Sequence, residues 1–473
     1  MYNYLSTLNV KKETKTIFWG VTEKMEDNEL APIINELKLR KKVTSFGEVT
    51  DYYPLQDFSC PKITFIGLEK GSNFALKDIY KIAAKIAKSI DNDSVICLDS
   101  FSTLENNHDL LCEKFIEVIE LVNYTFNNYK TNKKEKKNYT ISINSKSDVS
   151  KAMDLGFING DATNHARDLV NEPRNKMTPA VLANYAENLA KKLKIAYKIY
   201  DKPEIEKLGM GAFLAVNKGS KEPCKLIHLK YRNGASNEIT TLVGKGLTYD
   251  SGGYSLKPKN GMAGMKGDMG GAASVLGAIE IIARKNLLVN VDVVIAATEN
   301  LISDDAIVPD DIVTAMNGKT IEILNTDAEG RLTLVDAVTF ARKNNASRII
   351  DVATLTGGVV TALGTEITGA FTNDKEFLNL VKLASEKTGE EIWELPVEQF
   401  RERCKKSEVA DYNNSPGRDG HASFGAAIIR EFAEDTPWVH LDIAGTSSKQ
   451  SSHLLGPEGA TGIMARTLAK VFE

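Results

Sequence analysis

Near-continuous apolar runs that end in polar or glycine-containing turns constrain the fold of this chain most. Residues 291–297 and 348–353 form two such runs. Strands that are buried on both faces of a parallel sheet lose the alternation of apolar and polar residues. Helical spacing of apolar residues, for example over 180–191 and 332–342, separates these runs along the chain. The sequence therefore predicts an α/β fold with a mostly parallel central sheet.

The length of the chain predicts at least two domains, because 473 residues exceed what a single core usually organises. Residues 1–146 alternate short β-rich runs with helical patterns, which predicts a smaller N-terminal α/β domain. Residues 147–170 have helical spacing and contain no proline, so we expect a helical linker there. Residues 171–473 are expected to form the larger α/β domain.

Charge and composition exclude several classes of protein. A net charge of -4, spread over both signs, produces no strong field toward nucleic acid or anionic lipid. No apolar run reaches the roughly 20 residues that span a bilayer, so we expect no membrane partner. The beginning of the chain lacks the pattern of a signal peptide, which favours a cytoplasmic location. Five cysteines without CxxC spacing argue against disulfides, and the basic cluster at 130–137 is interpreted as a solvated loop.

The segment 325–332 places Asp327, Glu329 and Arg331 two residues apart at a junction between an apolar run and a helical pattern. Ligands of α/β folds bind at such junctions. If the segment is extended, Asp327 and Glu329 project to the same side and suit a hard divalent cation. The alternative is a turn with solvated charges.

A second group of residues lies upstream, in three segments. They are 243–253 with Lys245 and Asp250, 255–258 with Lys257, and 265–271 with Met265 and Asp268. Four carboxylates, on Asp250, Asp268, Asp327 and Glu329, would repel one another without cations, and two divalent cations would balance them.

Together with 171–173, 353–357 and 441–446, these segments resemble the leucyl aminopeptidase family, the cytosolic two-metal aminopeptidases, in order and spacing. The resemblance extends from about residue 168 to the end of the chain and makes the larger domain the catalytic one. It implies that Asp250 and Glu329 bridge two metal ions, that Lys245 and Asp268 complete one ion and that Asp327 completes the other. Lys245 binds metal only after losing its proton, so its pKa must be lowered.

The same resemblance implies the remaining catalytic parts. Lys257 would stabilise the oxyanion formed after attack by a metal-activated water. Arg331, at the start of a helix, would hold a bicarbonate that acts as the base. Alternatively, Arg331 forms an ion pair that orients Glu329. The metal itself stays open among zinc, manganese, cobalt and magnesium.

Substrate selection is expected to depend on an apolar pocket for a leucine-like N-terminal side chain of a peptide. The resemblance places four residues in its walls: Met265, Thr354, Gly357 and Ala444. Met265 and Ala444 could instead belong to the core. The resemblance also implies a homohexamer. Two rival functions remain, a cysteinylglycine dipeptidase in thiol turnover and a DNA-binding architectural oligomer, and the second would need a basic surface stripe.

Two segments depart from the expected pattern. The acidic pair Asp304-Asp305 stands where a small residue and glycine are usual, and His421 and Ser423 stand in a region usually filled by small apolar residues. We expect His421 to be a surface residue at a helix start, and a position lining the cleft is the alternative.

Overall fold

The computed structural model describes residues 1–23, 28–43, 45–55, 57–71, 73–133 and 138–473. Residues 134–137 of the basic cluster therefore lie outside the described residues. The chain divides into two units, one of Met1–Asp161 with Ser452–Pro457 and one of Ala162–Ser451 with Glu458–Glu473. Within the described part of the chain, no helix is long and apolar enough to cross a membrane. All five cysteines are buried and free.

The first unit contains a six-stranded sheet. Its strands are β1 (Tyr2–Leu5), β2 (Thr16–Val21), β3 (Val49–Tyr52), β4 (Ile63–Gly67), β5 (Ser94–Cys97) and β6 (Ile141–Asn144). Their order is β1-β6-β5-β2-β4-β3, and only the β3–β4 pair is antiparallel. Its helices are α1 (Ala31–Leu39), α2 (Leu76–Ser89) and α3 (His108–Val122), and α4 (Ser150–Asn171) contains the division between the units. The β-rich runs at 16–19, 62–67, 94–98 and 139–143 and the helical patterns at 75–89 and 111–122 predict β2, β4, β5, β6, α2 and α3. They miss β1, β3 and α1.

The second unit is built on an eight-stranded sheet with the order β15-β14-β17-β13-β9-β10-β8-β7. Its strands are β7 (Ala196–Asp201), β8 (Lys225–Arg232), β9 (Thr240–Asp250), β10 (Asn290–Asn300), β13 (Arg348–Ala353), β14 (Thr368–Thr372), β15 (Ile392–Glu394) and β17 (Trp438–Asp442). Small sheets contain β11 (Ile312–Thr314), β12 (Thr320–Glu322), β16 (Tyr412–Asn413), β18 (Ser448–Lys449) and β19 (Gly459–Ala460).

The helices of the second unit surround this sheet. They are α5 (Pro179–Leu193), α6 (Lys202–Lys207), α7 (Gly211–Asn217), α8 (Lys259–Met262), α9 (Gly270–Arg284), α10 (Glu329–Lys343), α11 (Gly357–Leu363), α12 (Lys375–Thr388), α13 (Arg401–Cys404), α14 (His421–Ala433) and α15 (Ala465–Lys470). Local sequence explains several ends. The Thr178 hydroxyl caps α5, which has proline in its first turn, and Gly389 ends α12 in a left-handed conformation at φ 66°.

Four adjacent parallel strands, β10, β9, β13 and β17, place their carboxyl ends at one edge of the sheet. Asn300 lies opposite Asp250 at this edge, and Ala353 lies opposite Asp442. These strands are buried along nearly their whole length and most of their residues are apolar, although Asp292, Asp351 and His440 interrupt the apolar runs. The predicted α/β fold with a mostly parallel sheet is confirmed, and the polar strand ends meet at one edge.

Two strands differ from the sequence prediction. The sequence pattern at 240–243 predicts a strand that ends at Val243, and a Gly-Lys-Gly sequence by itself is a common loop, but β9 continues to Asp250. Glycine is needed at 244 because a Cβ there would lie 2.7 Å from the Cα of Ala272, on the helix packed against the strand. The apolar run at 321–324 predicts a buried strand, but only residues 321–322 of it belong to β12, which lies in the three-stranded sheet β11-β12-β16.

Candidate metal centre and active site

One cavity of about 800 Å³ in the second unit brings the predicted site residues together. Its walls include every predicted residue: Lys245, Asp250, Lys257, Met265, Asp268, Asp327, Glu329, Arg331, Thr354, Gly357 and Ala444. They come from β9 and the loop after it, the turns around Asp268 and Asp327, the first turn of α10, the segment from the end of β13 to the start of α11, and the loop after β17. The edge formed by the parallel strand ends is therefore also the floor of this cavity.

Asp250, Asp327 and Glu329 form the centre of the cluster, because one carboxylate oxygen from each lies within 4.8 Å of the others. The local conformation differs from the one predicted. Asp327 lies in a 3₁₀ turn (Thr326–Ala328) and Glu329 is the first residue of α10, so the segment is helical and not extended. The two acids still converge, since a tight turn and the helix that follows direct them to the same point.

Two lysines lie between these acids. Lys245 Nζ lies 2.8 Å from Asp268 Oδ1, 3.0 Å from Glu329 Oε1 and 3.0 Å from the carbonyl oxygen of Thr354. Lys257 Nζ lies 2.7 Å from Asp250 Oδ2 and 2.5 Å from Asp327 Oδ1. The charge argument from the sequence set four carboxylates against two divalent cations. It left out the ammonium groups of Lys245 and Lys257, which lie in the same cluster.

Burial makes the carboxylates costly to ionise. The pKa of Glu329 is raised to about 8, by burial and then by Asp250, and the pKa of Asp268 is raised to about 6, by burial although Lys245 opposes it. Burial also raises the pKa of Asp327. In addition, the buried Oε2 of Glu329 has no hydrogen-bond partner among the described residues. Buried oxygens that favour neutralisation and converge within 4.8 Å fit divalent cations.

The pKa of Lys245 is raised, whereas metal binding requires a lowered pKa. Burial acts to lower its pKa, but Asp268, Glu329 and Asp250 together outweigh burial and raise the pKa above its usual value. Cations bound by those acids would take up their charge and remove the main reason for the raised pKa. Without cations, the Lys245 ammonium pairs with these acids, and only a site that holds cations favours the neutral amine that coordination requires.

Arg331 is buried at the first turn of α10, and burial lowers its pKa. Nη1 donates a hydrogen bond to the backbone carbonyl of Asn414, and Nη2 lies 3.3 Å from Nε2 of His421. No ion pair joins Arg331 to Glu329 among the described residues, so the alternative of an arginine that orients Glu329 through an ion pair lacks the contact it needs.

His421 corrects the sequence interpretation. It begins α14, as expected, but it is half-buried, contacts Arg331 and lines the cavity. Burial, and then Arg331, lower its pKa to about 4. The Asp304-Asp305 pair is exposed and is not among the residues that line this cavity.

The sequence did not predict the roles of two residues that orient the site, Asn300 and Asp442. Asn300 Nδ2 donates to Asp250 Oδ1 and to the carbonyl of Thr326, so the end of β10 orients an acid of the cluster. Asp442 accepts hydrogen bonds from the backbone N–H groups of Leu355 and Ala444 and from the Thr356 hydroxyl. A polar residue at the end of a buried apolar strand was the available signal for both Asn300 and Asp442.

The four residues expected to form the walls of the substrate pocket differ in what they contact. Apart from Gly357 itself, its chain neighbours and the backbone of its own helix, no atom lies within 4 Å of the position of a Cβ at this residue, so it borders open space. The Thr354 hydroxyl donates to Asp268 Oδ1 at 2.8 Å, which ties this wall to the acids. Ala444 packs partly against the core and also lines the cavity with Met265.

Comparison with known proteins agrees with this geometry. Residues 164–469 match the catalytic domain of the cytosol aminopeptidase family, and residues 20–133 match the N-terminal domain of that family. A solved structure of the bottromycin maturation enzyme BotP is 29% identical with a TM-score of 0.87, over 97% of this chain and 99% of that chain. A structure of BotP in complex with Mn is 28% identical with a TM-score of 0.86, over 98% of this chain and 99% of that chain. The resemblance found in the sequence is confirmed: the chain belongs to the cytosol aminopeptidase family and is a metal-dependent aminopeptidase.

Proposed function

We propose that this aminopeptidase removes leucine-like residues from the N-termini of peptides. It would use two divalent cations, with Asp250 and Glu329 as shared ligands, Lys245 and Asp268 on one ion and Asp327 on the other. The observation that carries the proposal is the convergence of these five side chains in one cavity with the expected pocket residues.

The cations, when bound, lower the pKa of a shared water and polarise the scissile carbonyl. The reaction also requires a positive charge where the oxyanion develops, and Lys257 would supply this charge. In the metal-free protein, Asp250, Glu329 and Asp327 outweigh burial and raise the pKa of Lys257, so its ammonium keeps its proton there. Because Lys257 is only partly exposed, its charge acts in surroundings from which most water is excluded.

Arg331 is proposed to hold a bicarbonate that accepts a proton during the reaction. Its guanidinium has five N–H donors, and the contacts to Asn414 and His421 use two of them. The remaining donors are available to a small anion beside the first turn of α10. His421 cannot compete for that anion, because its lowered pKa keeps the imidazole neutral at pH 7.

Selectivity for the N-terminal residue is proposed to come from the space bordered by Met265, Gly357 and Ala444. Methionine and alanine present apolar surface, and the open space beside Gly357 accommodates a branched side chain. Each methylene in such a pocket changes kcat/KM by only about tenfold to 200-fold, so related apolar residues would also be accepted.

Manganese is the proposed metal, because oxygen-rich ligand sets suit it and because one of the two similar BotP structures is a complex with Mn. Zinc is the second candidate. We also propose a homohexamer in the cytoplasm, and the molar mass measured by sedimentation would test the assembly.

The test is hydrolysis of leucine p-nitroanilide by protein stripped with chelator and then supplied with Mn²⁺ or Zn²⁺. We expect activity to return in the wild type but to stay lower by about a hundredfold or more in Asp327→Ala, since the loss of a ligand removes several kcal/mol of transition-state stabilisation. Asp304→Ala is the matched control, because this exposed acid does not line the cavity. A fully active Asp327→Ala protein, or folded wild type that is inactive with both metals, would contradict the proposal.

A further inference from the structure

A second cavity, of about 900 Å³, lies next to the active-site cavity. The two share Asn325 and His421, and Asn325 is two residues from Asp327. Leu324 and Leu395 give the second cavity apolar surface, and neither Met265 nor Ala444 borders it. If the first side chain of a peptide lies beside Met265 and Ala444, the residues after the scissile bond must extend away from these two walls. The second cavity offers space for those residues.

Arg418 gives this second cavity its charge. Among the described residues that line the cavity, it is the one that carries a full charge, and no carboxylate accompanies it. The neighbouring Asp419 is exposed but does not line the cavity. Arg418 is exposed, and within the described ranges no hydrogen bond or ion pair engages its guanidinium. An arginine without a partner in an otherwise neutral cavity favours an anion, and a carboxylate fits its planar fork.

The loop that carries Arg418 is attached to the active site on both sides. Before it, Asn414 Nδ2 donates to the carbonyl of Asn325 at 2.7 Å, and the Asn414 carbonyl accepts from Arg331. After it, His421 begins α14 and contacts Arg331. These contacts hold the loop beside the expected path of the leaving part of the substrate.

We infer that Arg418 is a specificity-determining residue that favours substrates with a carboxylate on the carboxyl side of the scissile bond. This inference rests on the proposed aminopeptidase function. Two sources supply such a carboxylate: the C-terminus of a dipeptide, and an acidic side chain in the second residue of a longer peptide. Dipeptides and peptides with Asp or Glu in the second position are therefore the favoured substrate class.

The experiment compares kcat/KM for matched acids and amides at low ionic strength. Leucyl-glycine against leucyl-glycinamide tests the C-terminal source, and leucyl-aspartate amide against leucyl-asparagine amide tests the side-chain source. The wild type should favour the acid of at least one pair by about two- to fivefold, the range for an exposed charge pair. Raising the salt concentration should reduce the preference.

Arg418→Gln should bring the acid-to-amide ratio close to one, and Arg418→Lys should retain part of the preference because it keeps the charge. Arg40→Gln, which removes an exposed guanidinium that lines neither cavity, should keep the wild-type ratio. Equal rates on both members of each pair in the wild type, or an unchanged ratio in Arg418→Gln, would overturn the role of Arg418. Failure of the wild type to hydrolyse leucine p-nitroanilide would contradict the aminopeptidase function itself, so the two failures are distinguishable.

Discussion

Nη2 of Arg331 donates a hydrogen bond to Nε2 of His421 across 3.3 Å. Because a guanidinium has only donors, the imidazole must accept with Nε2 and carry its proton on Nδ1. Burial and the neighbouring Arg331 lower the pKa of His421 to about 4, which keeps this arrangement neutral near pH 7. The contact joins the first turn of α10 to the start of α14 at the border of both cavities.

The lowered pKa of His421 predicts a contribution to acid sensitivity. The unfolded chain binds a proton at this residue near pH 6.5 and the folded chain only near pH 4, so His421 lowers stability as pH falls through that window. His421→Asn should therefore lose less stability than the wild type between pH 7 and pH 5. Thermal unfolding of both metal-free proteins at the two pH values measures the difference, and parallel losses would contradict the neutral histidine.

Glu329 predicts the opposite pH dependence for the metal-free protein. Its pKa is raised from 4.5 to about 8, so the folded chain keeps a proton that the unfolded chain releases. Its contribution to stability is therefore present below pH 4.5 and is lost as pH rises through 8. Glu329→Gln should flatten this decline in thermal unfolding scans without metal. Added Mn²⁺ should stabilise the wild type much more than the variant, and equal stabilisation would argue against Glu329 as a ligand.

Gly330→Ala should weaken metal binding without unfolding the chain. A Cβ at residue 330 would lie 2.5 Å from Cε and 2.8 Å from Nζ of Lys245, so the flexible lysine must move. We expect about tenfold weaker binding of Mn²⁺ by calorimetry, with little change in the thermal midpoint of the metal-free protein. Gly267→Ala is the control, because its Cβ would make only an ordinary 3.5 Å contact with Val170 beside the proposed ligand Asp268. Unchanged affinity in Gly330→Ala would argue against Lys245 as a ligand.

Gly357→Val should shift the substrate preference toward smaller residues. The added side chain projects into space where no atom lies within 4 Å of the Cβ position. The ratio of kcat/KM for leucine p-nitroanilide to that for alanine p-nitroanilide should fall by about tenfold. A thermal midpoint close to that of the wild type would show that the fold is intact, and an unchanged ratio in such a protein would place the leucine side chain elsewhere.

Much of the fold was predictable because buried strands have a distinct composition. The runs at 291–297 and 348–353 identified β10 and β13, and the helical spacing at 332–342 identified most of α10. β9 was cut short because Gly244 and Gly246 resemble loop residues. Their role in the strand depends on the close approach of α9, a tertiary contact that local sequence does not contain.

The site was predictable where residue type alone indicates chemistry. Four acids and two lysines in four short segments indicated a cation site, and all six line one cavity. The prediction of an extended conformation for residues 326–329 was wrong. An extended chain and a tight turn can both bring Asp327 and Glu329 together, so the convergence of the two acids does not distinguish these conformations. His421 and Asn300 escaped because their roles depend on partners about 90 and 50 residues away along the chain.

The number of metal ions bound per chain tests the central claim most directly. Metal-free protein titrated with Mn²⁺ and followed by calorimetry and elemental analysis should bind two ions per wild-type chain. Asp327→Ala should bind one, because Asp327 is proposed to complete only the second ion, and Asp304→Ala should bind two. A wild-type chain that binds one ion or none, or an Asp327→Ala chain that still binds two, would contradict the proposed two-metal centre.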